Sequence, residues 1–392
     1  MSNTSPGDDQ QPAAVRPPLS LYIHVPWCVR KCPYCDFNSH EREQLPEDAY
    51  VTTLLADLDG EAAAAGGRPV ETVFIGGGTP SLFSREAIAR LLQGIRERVV
   101  LTADAEITLE ANPGSAEAAK FAAFRAAGVN RLSLGIQSFD DDALARLGRV
   151  HDRAQALAAI AAAREAGFDN LNLDLMHGLP GQDLAAGLAD LDTAIALGPE
   201  HLSWYQLTIE PNTVFHRRPP VLPGEAILGD LESEGAKRLE SAGYGRYEVS
   251  AWSRPGRRSR HNLGYWTFGD YLAIGAGAHG KVTGVDGRVR RYAKRRQPEA
   301  YLEALPGGFT ASERDLDPAD LAGEFMLNAL RLVEGVPRAR FAEATGLDDV
   351  AIASTVDALV GKGLLRNDPA RLGTTPLGLA FLDDVVGAFF AD

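Results

Sequence analysis

The chain has 392 residues, an apolar fraction of 45% and a formal net charge of −14 at pH 7. The apolar fraction is ordinary for a globular protein with a full core. The negative charge argues against a general nucleic-acid binder, because phosphate contacts need a basic surface, and no apolar run approaches the ~20 residues that span a bilayer.

The first predicted segment, residues 1–18, is polar and contains four Pro residues and one Gly. We expect it to be disordered, because it has too little apolar surface to fold. It lacks the basic start and the apolar centre of a signal peptide. Because the chain also has only three cysteines, which we expect to be reduced, we predict a cytoplasmic location.

After this segment, short β-rich runs alternate with Ala- and Leu-rich helical runs. The predicted strands cover residues 20–25, 70–75, 106–111, 131–136, 170–175 and 201–209. The predicted helices cover residues 47–65, 85–99, 116–127, 141–147, 154–166 and 184–197. This alternation predicts a parallel sheet with right-handed crossovers. Six units are too few to close an eight-fold barrel, so we predict an α/β fold with an open, partial (β/α)6 TIM-like barrel over residues 19–250.

Beyond the barrel we predict an extension over residues 251–302 and a separate C-terminal domain over residues 303–392. The helices predicted in that domain cover residues 317–332, 338–345, 350–362 and 376–390, and its short strands cover residues 364–367 and 371–374. Helices with a small hairpin are typical of a winged-helix-like domain. Because this segment lacks a basic recognition face, we interpret it as a lid or docking module.

All three cysteines, Cys28, Cys32 and Cys35, lie on one loop after the first predicted strand. A structural zinc site uses four ligands, and an odd number of cysteines does not fit a disulfide framework. A redox pair of Cys32 and Cys35 would leave Cys28 without a role. Soft thiolates in a tight triplet suit an iron–sulfur cluster. With three protein ligands, a 4Fe–4S cluster keeps one iron free for a chelating molecule such as S-adenosylmethionine (SAM).

Glycine and polar residues follow the other predicted strands at the equivalent ends. They are the run 76–80 (GGGTP), Glu110, Gln137 and Asp174. Ligand-binding groups of parallel α/β folds lie at the carboxyl ends of the strands. Glycines at such a place let the backbone approach a ligand closely. We therefore expect these residues to converge on one site.

The two carboxylates of this set, Glu110 and Asp174, suit ribose hydroxyls or an ammonium group. The alternative for each is a solvated carboxylate or one paired with Arg149 or Arg131. Gln137 suits a carboxylate or a purine edge.

A second motif, HNLGYW at residues 261–266, follows an arginine-rich run. Imidazole is a common axial ligand of haem iron, and arginines can pair with haem propionates. His261 is therefore one candidate haem ligand, and His279, within a glycine-rich run, is the competing one. The alternative is that His261 is an ordinary histidine without a ligand.

These motifs together resemble the radical SAM superfamily, whose hallmark is a Cys-x3-Cys-x2-Cys loop after the first strand and a glycine-rich motif after the second. The stretches YIHVPWCVRKCPYCDF, FIGGGTPS, LEANPG, RLSLGIQSF and DLMHGLPGQ are similar to the oxygen-independent coproporphyrinogen III oxidase (HemN) family. Within that family, the chain most resembles the HemW-type haem chaperones. The similarity runs from about Leu19 to near the C-terminus.

The resemblance implies roles for individual residues, beginning with Cys28, Cys32 and Cys35 as ligands of the 4Fe–4S cluster. The residues that it assigns to cofactor contacts are Tyr22, Phe37 (by its backbone), Gly77, Gly78, Thr79, Glu110, Gln137, Arg149 and Asp174. It also makes the HNxxYW motif, and with it His261, the candidate haem site.

One departure from the family pattern bears on activity. Members that oxidise coproporphyrinogen carry a further Cys at the second position after the third cysteine, where this chain has Phe37. They also carry a longer segment before the cluster loop. The resemblance therefore implies a haem chaperone, and we assign no catalytic residue. The alternative is an oxygen-independent coproporphyrinogen III dehydrogenase, a radical SAM oxidative decarboxylase of haem biosynthesis.

The expected partners follow from the chaperone interpretation. They are haem itself and the apo-proteins that accept it, such as respiratory haem enzymes. We expect no nucleic-acid partner and no stable membrane insertion, while transient membrane association is compatible with the sequence. We expect a monomer or a homodimer.

Overall fold

The computed structural model describes residues 16–390. Residues 1–15, most of the segment predicted to be disordered, lie outside the described residues. The strands are β1 (Leu19–Val25), β2 (Trp27–Cys28), β3 (His40–Glu41), β4 (Val70–Gly77), β5 (Leu101–Ala111), β6 (Arg131–Gln137), β7 (Leu171–His177), β8 (His201–Gln206), β9 (Gly245–Arg246), β10 (Ala251–Ser253), β11 (Asp270–Ile274), β12 (His279–Thr283), β13 (Val289–Lys294), β14 (Thr310–Asp315), β15 (Val336–Pro337) and β16 (Arg371–Leu372).

Helices fill most of the connections between these strands. They are α1 (Glu47–Ala65), α2 (Arg85–Arg98), α3 (Ser115–Ala118), α4 (Phe121–Ala127), α5 (Asp141–Arg146), α6 (Arg153–Glu165), α7 (Leu184–Leu197), α8 (Val214–Arg217), α9 (Glu225–Ser241), α10 (Arg260–Trp266), α11 (Pro298–Leu302), α12 (Pro318–Ala329), α13 (Ala339–Thr345), α14 (Val350–Gly361), α15 (Pro376–Ala380) and α16 (Leu382–Gly387). No helix in residues 16–390 is long and apolar enough to cross a membrane.

The predicted parallel barrel is confirmed. Strands β1, β4, β5, β6, β7 and β8 pair in that order, and every pairing between them is parallel. They form the middle of a twelve-stranded sheet whose edge strands are β14 and β9. The central strands are buried along nearly their whole length, as expected for a sheet covered by helices on one face and filled by side chains on the other.

Two predicted helices are each split in the structure. The predicted helix 116–127 is divided into α3 and α4. At the break, the ammonium of Lys120 donates to the backbone oxygens of Ser81, Leu82 and Phe83 at 2.5, 3.0 and 3.0 Å. This contact joins the break to the short helical turn Pro80–Leu82 that follows the glycine run. The predicted helix 376–390 is divided into α15 and α16 at Phe381.

Within the extension, β11 pairs parallel with β1 on the side away from β4. Strands β12, β13 and β14 continue antiparallel from it. Strand β14, which lies beyond the predicted boundary at residue 302, was not predicted. Its residues are almost all exposed, so it carries no apolar alternation from which a strand could be predicted. The boundaries at residues 250 and 302 stay predictions.

The C-terminal segment has a second apolar core, around Phe325, Met326 and Phe341. Tyr247 and Phe268, from outside this segment, belong to the same core. The predicted hairpin between residues 364–367 and 371–374 is reduced to a single bridge of Leu365 with Thr374. Strand β16 pairs instead with β15, because the chain folds back onto the segment before α13.

A buried ion cluster joins the extension to the barrel. The Asp270 carboxylate, at the start of β11, accepts from Lys281 Nζ at 2.9 Å and from Arg68 Nη1 at 2.7 Å. It also accepts from the backbone N and the hydroxyl of Thr283, both at 2.9 Å. Although burial acts to raise it, the pKa of Asp270 is lowered, since Lys281 and these hydrogen bonds outweigh the loss of water. The carboxylate therefore stays ionised and fully paired.

We expect Asp270→Asn to lower the free energy of unfolding by about 3–5 kcal/mol, because it leaves the ammonium of Lys281 buried without its counter-charge. Urea unfolding of the two proteins measures the difference. The matched control is Asp286→Asn, since Asp286 lies exposed in a turn and pairs with the exposed Arg288, where an ion pair adds little. Equal unfolding midpoints for the wild type and Asp270→Asn would contradict this account.

Candidate functional site

The cysteine loop is attached to the barrel by backbone contacts with the glycine run after β4. The amide of Gly78 donates to the oxygen of Val25 at 2.7 Å, and the amide of Thr79 donates to the oxygen of Trp27 at 2.8 Å. A Cβ at residue 78 would lie 2.4 Å from the oxygen of Trp27. Only glycine therefore allows this approach, which places the cysteine loop over the carboxyl ends of the strands.

The three cysteines line one cavity of about 160 Å³ at these strand ends. Each sulfur has a polar neighbour. Thr79 Oγ1 lies 3.5 Å from Cys28 Sγ, Arg149 Nη1 lies 3.6 Å from Cys32 Sγ, and Ser39 Oγ lies 3.6 Å from Cys35 Sγ. Burial raises the pKa of the Cys28 thiol, and the two other cysteines add to this effect.

The arrangement of the thiols fits a multi-iron cluster. Within residues 16–390, no three His, Cys, Asp or Glu side chains converge closely enough to hold a single metal ion. The three cysteines instead line one shared space, as ligands to different irons of one cluster must. A single-ion site of the structural zinc kind needs ligands gathered around one point.

A chain of hydrogen bonds links two of the thiols. Arg149 Nη2 donates to Asn112 Oδ1 at 2.6 Å, and Asn112 Nδ2 donates to Thr79 Oγ1 at 3.0 Å. The arginine thus contacts Cys32 directly and reaches Cys28 through Asn112 and Thr79. Asn112 was not predicted as a site residue, although its position directly after a predicted strand could have indicated that it lies at the site.

The carboxylates Glu110 and Asp174 both line this cavity. Neither forms an ion pair within the described part of the chain. Burial, reinforced by the charge of Asp174, raises the pKa of Glu110 to about 8, although its oxygen accepts from the amide of Gly77 at 3.0 Å. Burial also raises the pKa of Asp174, against hydrogen bonds from neighbouring hydroxyl and amide groups. Two half-buried carboxyl groups without an ion pair, on which the buried Arg131 acts only at longer range, are typical of a site that receives a ligand.

Gln137, the last residue of β6, has a strained backbone. Its φ is 69°, in the left-handed region that a residue with a side chain adopts only when its surroundings enforce it. A register shift between Gly135 and Gln137 accompanies this turn. The side chain lines the cavity and accepts from the hydroxyl of Tyr205 at 2.9 Å. Tyr205, another cavity residue, was not predicted because it lies inside a strand.

Tyr22 lies on β1, the strand that pairs with β11 of the extension. Its hydroxyl donates to His24 Nδ1 at 2.9 Å, and His24 Nε2 donates to the backbone oxygen of Asn38 at 2.9 Å. Gly77 adopts a φ of 113°, and a Cβ there would lie 2.6 Å from the His24 ring. The histidine therefore packs against the glycine run and is fixed at both nitrogens.

A second, larger cavity of about 700 Å³ adjoins the first, since Phe37, Gly77 and Glu110 line both. Its other walls come mainly from β1 and the extension. The additional lining residues include Tyr22, His24, Tyr265, Tyr271, His279 and Arg296. The Phe37 side chain, 64% exposed, lies at the boundary between the two cavities. A large apolar side chain left exposed inside a cavity is typical of a binding surface.

His261 lines neither cavity. It is buried in α10, where Nδ1 lies 2.7 Å from the hydroxyl of Thr72 and Nε2 lies 2.8 Å from the hydroxyl of Tyr265. Burial, with the charge of Arg131, lowers its pKa to about 3. The ring is therefore neutral and engaged at both nitrogens, and its visible effect is to hold Tyr265 in the wall of the larger cavity.

The predicted site residues thus separate into those brought together and those that are not. The residues around the first cavity are Cys28, Cys32, Cys35, Phe37, Gly77, Gly78, Thr79, Glu110, Gln137, Arg149 and Asp174. Tyr22 lines the second cavity beside them. His261 is buried behind the wall of the second cavity.

Comparison with known proteins identifies the family. Residues 22–192 match the radical SAM superfamily, and residues 316–381 match the HemN C-terminal domain. The haem chaperone HemW of Escherichia coli K12 is 51% identical over 377 residues, which cover 96% of this chain and 99% of that protein. The haem chaperone HemW of Haemophilus influenzae is 46% identical over 381 residues, with 96% and 99% covered.

Among solved structures, the fold is similar to coproporphyrinogen III oxidase (HemN) from Escherichia coli, a radical SAM enzyme. The TM-score is 0.80 at 24% identity, and 95% of this chain and 90% of that chain are covered. This likeness confirms the predicted α/β radical SAM fold. Because its sequence identity to the HemW proteins extends over nearly their whole length, the chain belongs to the HemW family within the radical SAM superfamily.

Proposed function

We propose that this protein is a haem chaperone, which binds haem and passes it to apo-proteins. The observation that carries the proposal is the 51% identity to the haem chaperone HemW of Escherichia coli, which extends over 99% of that protein. The match therefore includes the barrel, the extension and the C-terminal segment. The cavity of about 700 Å³ beside the cysteine loop supports it, because it has the size and the partly apolar walls of a cofactor site.

Membership of the radical SAM superfamily implies a 4Fe–4S cluster and SAM. We propose Cys28, Cys32 and Cys35 as the cluster ligands, because all three line one cavity. When bound, the cluster and SAM supply one-electron chemistry. Arg149 Nη1 lies 3.6 Å from Cys32 Sγ, so a cation stands beside one of the proposed cluster ligands.

The proposed SAM contacts lie around the same cavity, except Tyr22, which lines the adjoining larger one. The set is Tyr22, Phe37, Gly77, Gly78, Thr79, Glu110, Gln137, Arg149 and Asp174. The two half-buried carboxylates among them suit the ammonium and ribose groups of SAM, since they have acceptor oxygens and form no ion pair with a described residue. The bent backbone at Gln137 aims its amide into the same space.

The chaperone proposal also includes its partners and its location. Haem-accepting apo-proteins are the proposed clients, and the cytoplasm is the proposed compartment. We propose that haem transfer does not need coproporphyrinogen oxidation, since Phe37 stands where the oxidising members carry a further cysteine.

We expect anaerobically reconstituted protein to bind haem stoichiometrically, with a new Soret band that saturates on titration. The same preparation should leave coproporphyrinogen III unchanged when it is reduced and supplied with SAM. Product analysis and SAM consumption measure the second part. Turnover of coproporphyrinogen without stable haem binding would refute the chaperone proposal and establish the dehydrogenase alternative.

A second prediction concerns Glu110, whose pKa of about 8 leaves it mostly protonated at neutral pH. If SAM binds the ionised carboxylate, binding releases a proton, so the affinity should rise about tenfold per pH unit up to about pH 8 and then level off. Anaerobic titration calorimetry at several pH values measures this slope.

The variant Glu110→Gln should bind SAM more weakly and lose this pH dependence. The matched control is Glu165→Gln, on the exposed end of α6, which should keep both the affinity and the slope. A wild-type affinity that does not change between about pH 6 and pH 8 would show that Glu110 does not bind SAM in its ionised form.

A further inference from the structure

The larger cavity contains a histidine that is free to bind a metal. A neutral imidazole has one lone pair on its ring, so a haem iron can bind only a histidine whose lone pair has no other partner. The candidates are the two histidines that line this cavity, His24 and His279, and His261 of the HNxxYW motif. The hydrogen bonds of the structure distinguish the three.

The lone pair of His24 is already used. Its Nε2 faces the carbonyl oxygen of Asn38 at 2.9 Å, and a carbonyl only accepts, so Nε2 carries the proton. Nδ1 then holds the lone pair and accepts from the hydroxyl of Tyr22 at 2.9 Å. Removing either bond to bind iron would leave a buried polar group unpaired.

The lone pair of His261 is used in the same way. The hydroxyl of Thr72 donates to Ser20 Oγ at 2.9 Å, so it accepts from Nδ1 of His261 at 2.7 Å. Nε2 therefore holds the lone pair and accepts from the hydroxyl of Tyr265 at 2.8 Å. With 1% of its surface exposed, the ring is closed to a ligand as large as haem.

His279 differs in both respects. It lies at the start of β12 with its side chain exposed in the cavity wall. Among residues 16–390, neither of its ring nitrogens has a hydrogen-bond partner. The same cavity is also lined by Phe37, whose exposed ring offers an apolar face. Tyr271 is held in the wall by the guanidinium of Arg291, which lies 5.6 Å from its ring centroid.

The cavity also holds a cation without a carboxylate. Lys294 is neutralised by Asp57 and Glu61, each at 2.6 Å. Arg296, in contrast, makes one side-chain hydrogen bond, from Nε to Asn38 Oδ1 at 3.3 Å, and no ion pair with any described residue. An unpaired guanidinium in a ligand cavity is suited to a carboxylate, because its donors match carboxylate oxygens.

We infer that haem binds in this larger cavity, with His279 as the iron ligand and Arg296 paired with a propionate. This inference rests on the proposed haem-binding function and gives that function its site. The HNxxYW motif then contributes to the haem site indirectly, because His261 positions Tyr265 in the cavity wall. Because Phe37, Gly77 and Glu110 border both cavities, the haem would lie next to the proposed SAM site.

The test is a haem titration of the full chain with its cluster reconstituted, followed by optical and resonance Raman spectra. We expect His279→Gly to bind haem at least about tenfold more weakly, since even neighbours of a metal ligand contribute that much, and to lose the signature of imidazole ligation. Added free imidazole should restore this signature. The matched control His216→Gly, at an exposed histidine of α8, should behave as the wild type.

Arg296→Gln provides a second, independent test. We expect weaker binding of haem but unchanged binding of haem dimethyl ester, whose propionates carry no charge. Cluster absorbance and far-UV circular dichroism establish that each variant is folded.

Three outcomes would overturn the inference. The first is an unchanged affinity and spectrum in His279→Gly, and the second is imidazole rescue of His261→Gly in place of His279→Gly. The third is equal weakening of haem and its ester by Arg296→Gln. If the wild type binds no haem at all, the proposed function itself fails. The two failures are therefore distinguishable.

Discussion

The close backbone contact between the glycine run and the cysteine loop determines the geometry of the whole site. Gly78 packs so tightly against Trp27 that no side chain fits between them. Two amide hydrogen bonds reinforce the contact. It places the hydroxyl of Thr79 beside Cys28 and brings the cysteines over the strand ends that carry Glu110 and Asp174. A short loop with three thiols thereby gains a fixed position.

Buried charge is the second feature of the site. Glu110 and Asp174 lie in the cavity without an ion pair to any described residue, and burial raises the pKa of both against the more distant charge of Arg131. Such carboxylates cost stability in the empty protein, because they lose water without gaining a counter-charge. The Asp270 cluster, far from the cysteines, shows the opposite arrangement, because its carboxylate is paired with Lys281, Arg68 and Thr283. Charges that serve the fold are thus neutralised internally, whereas those at the cavity are left for a ligand.

The two histidines of the extension show that the histidine of a conspicuous motif need not be the one that faces a ligand cavity. His261 belongs to the conspicuous HNxxYW pattern, yet it is buried and bonded at both nitrogens. His279 has no comparable motif, yet it faces the larger cavity. In our proposal, the HNxxYW motif shapes the wall of the larger cavity, and His279 binds the haem iron.

Local patterns in the sequence were sufficient to predict the parallel barrel and most of the first cavity. Strand and helix periods are local properties, and parallel strands necessarily bring their carboxyl ends to one side. Cys28, Glu110 and Asp174 could therefore be placed together from the order of strands and helices alone. The inward direction of Asn112, the left-handed backbone of Gln137 and the burial of His261 are properties of the tertiary structure. These depend on partners remote in sequence, as with Thr72, 189 residues from His261, and no local pattern encodes which remote groups will meet.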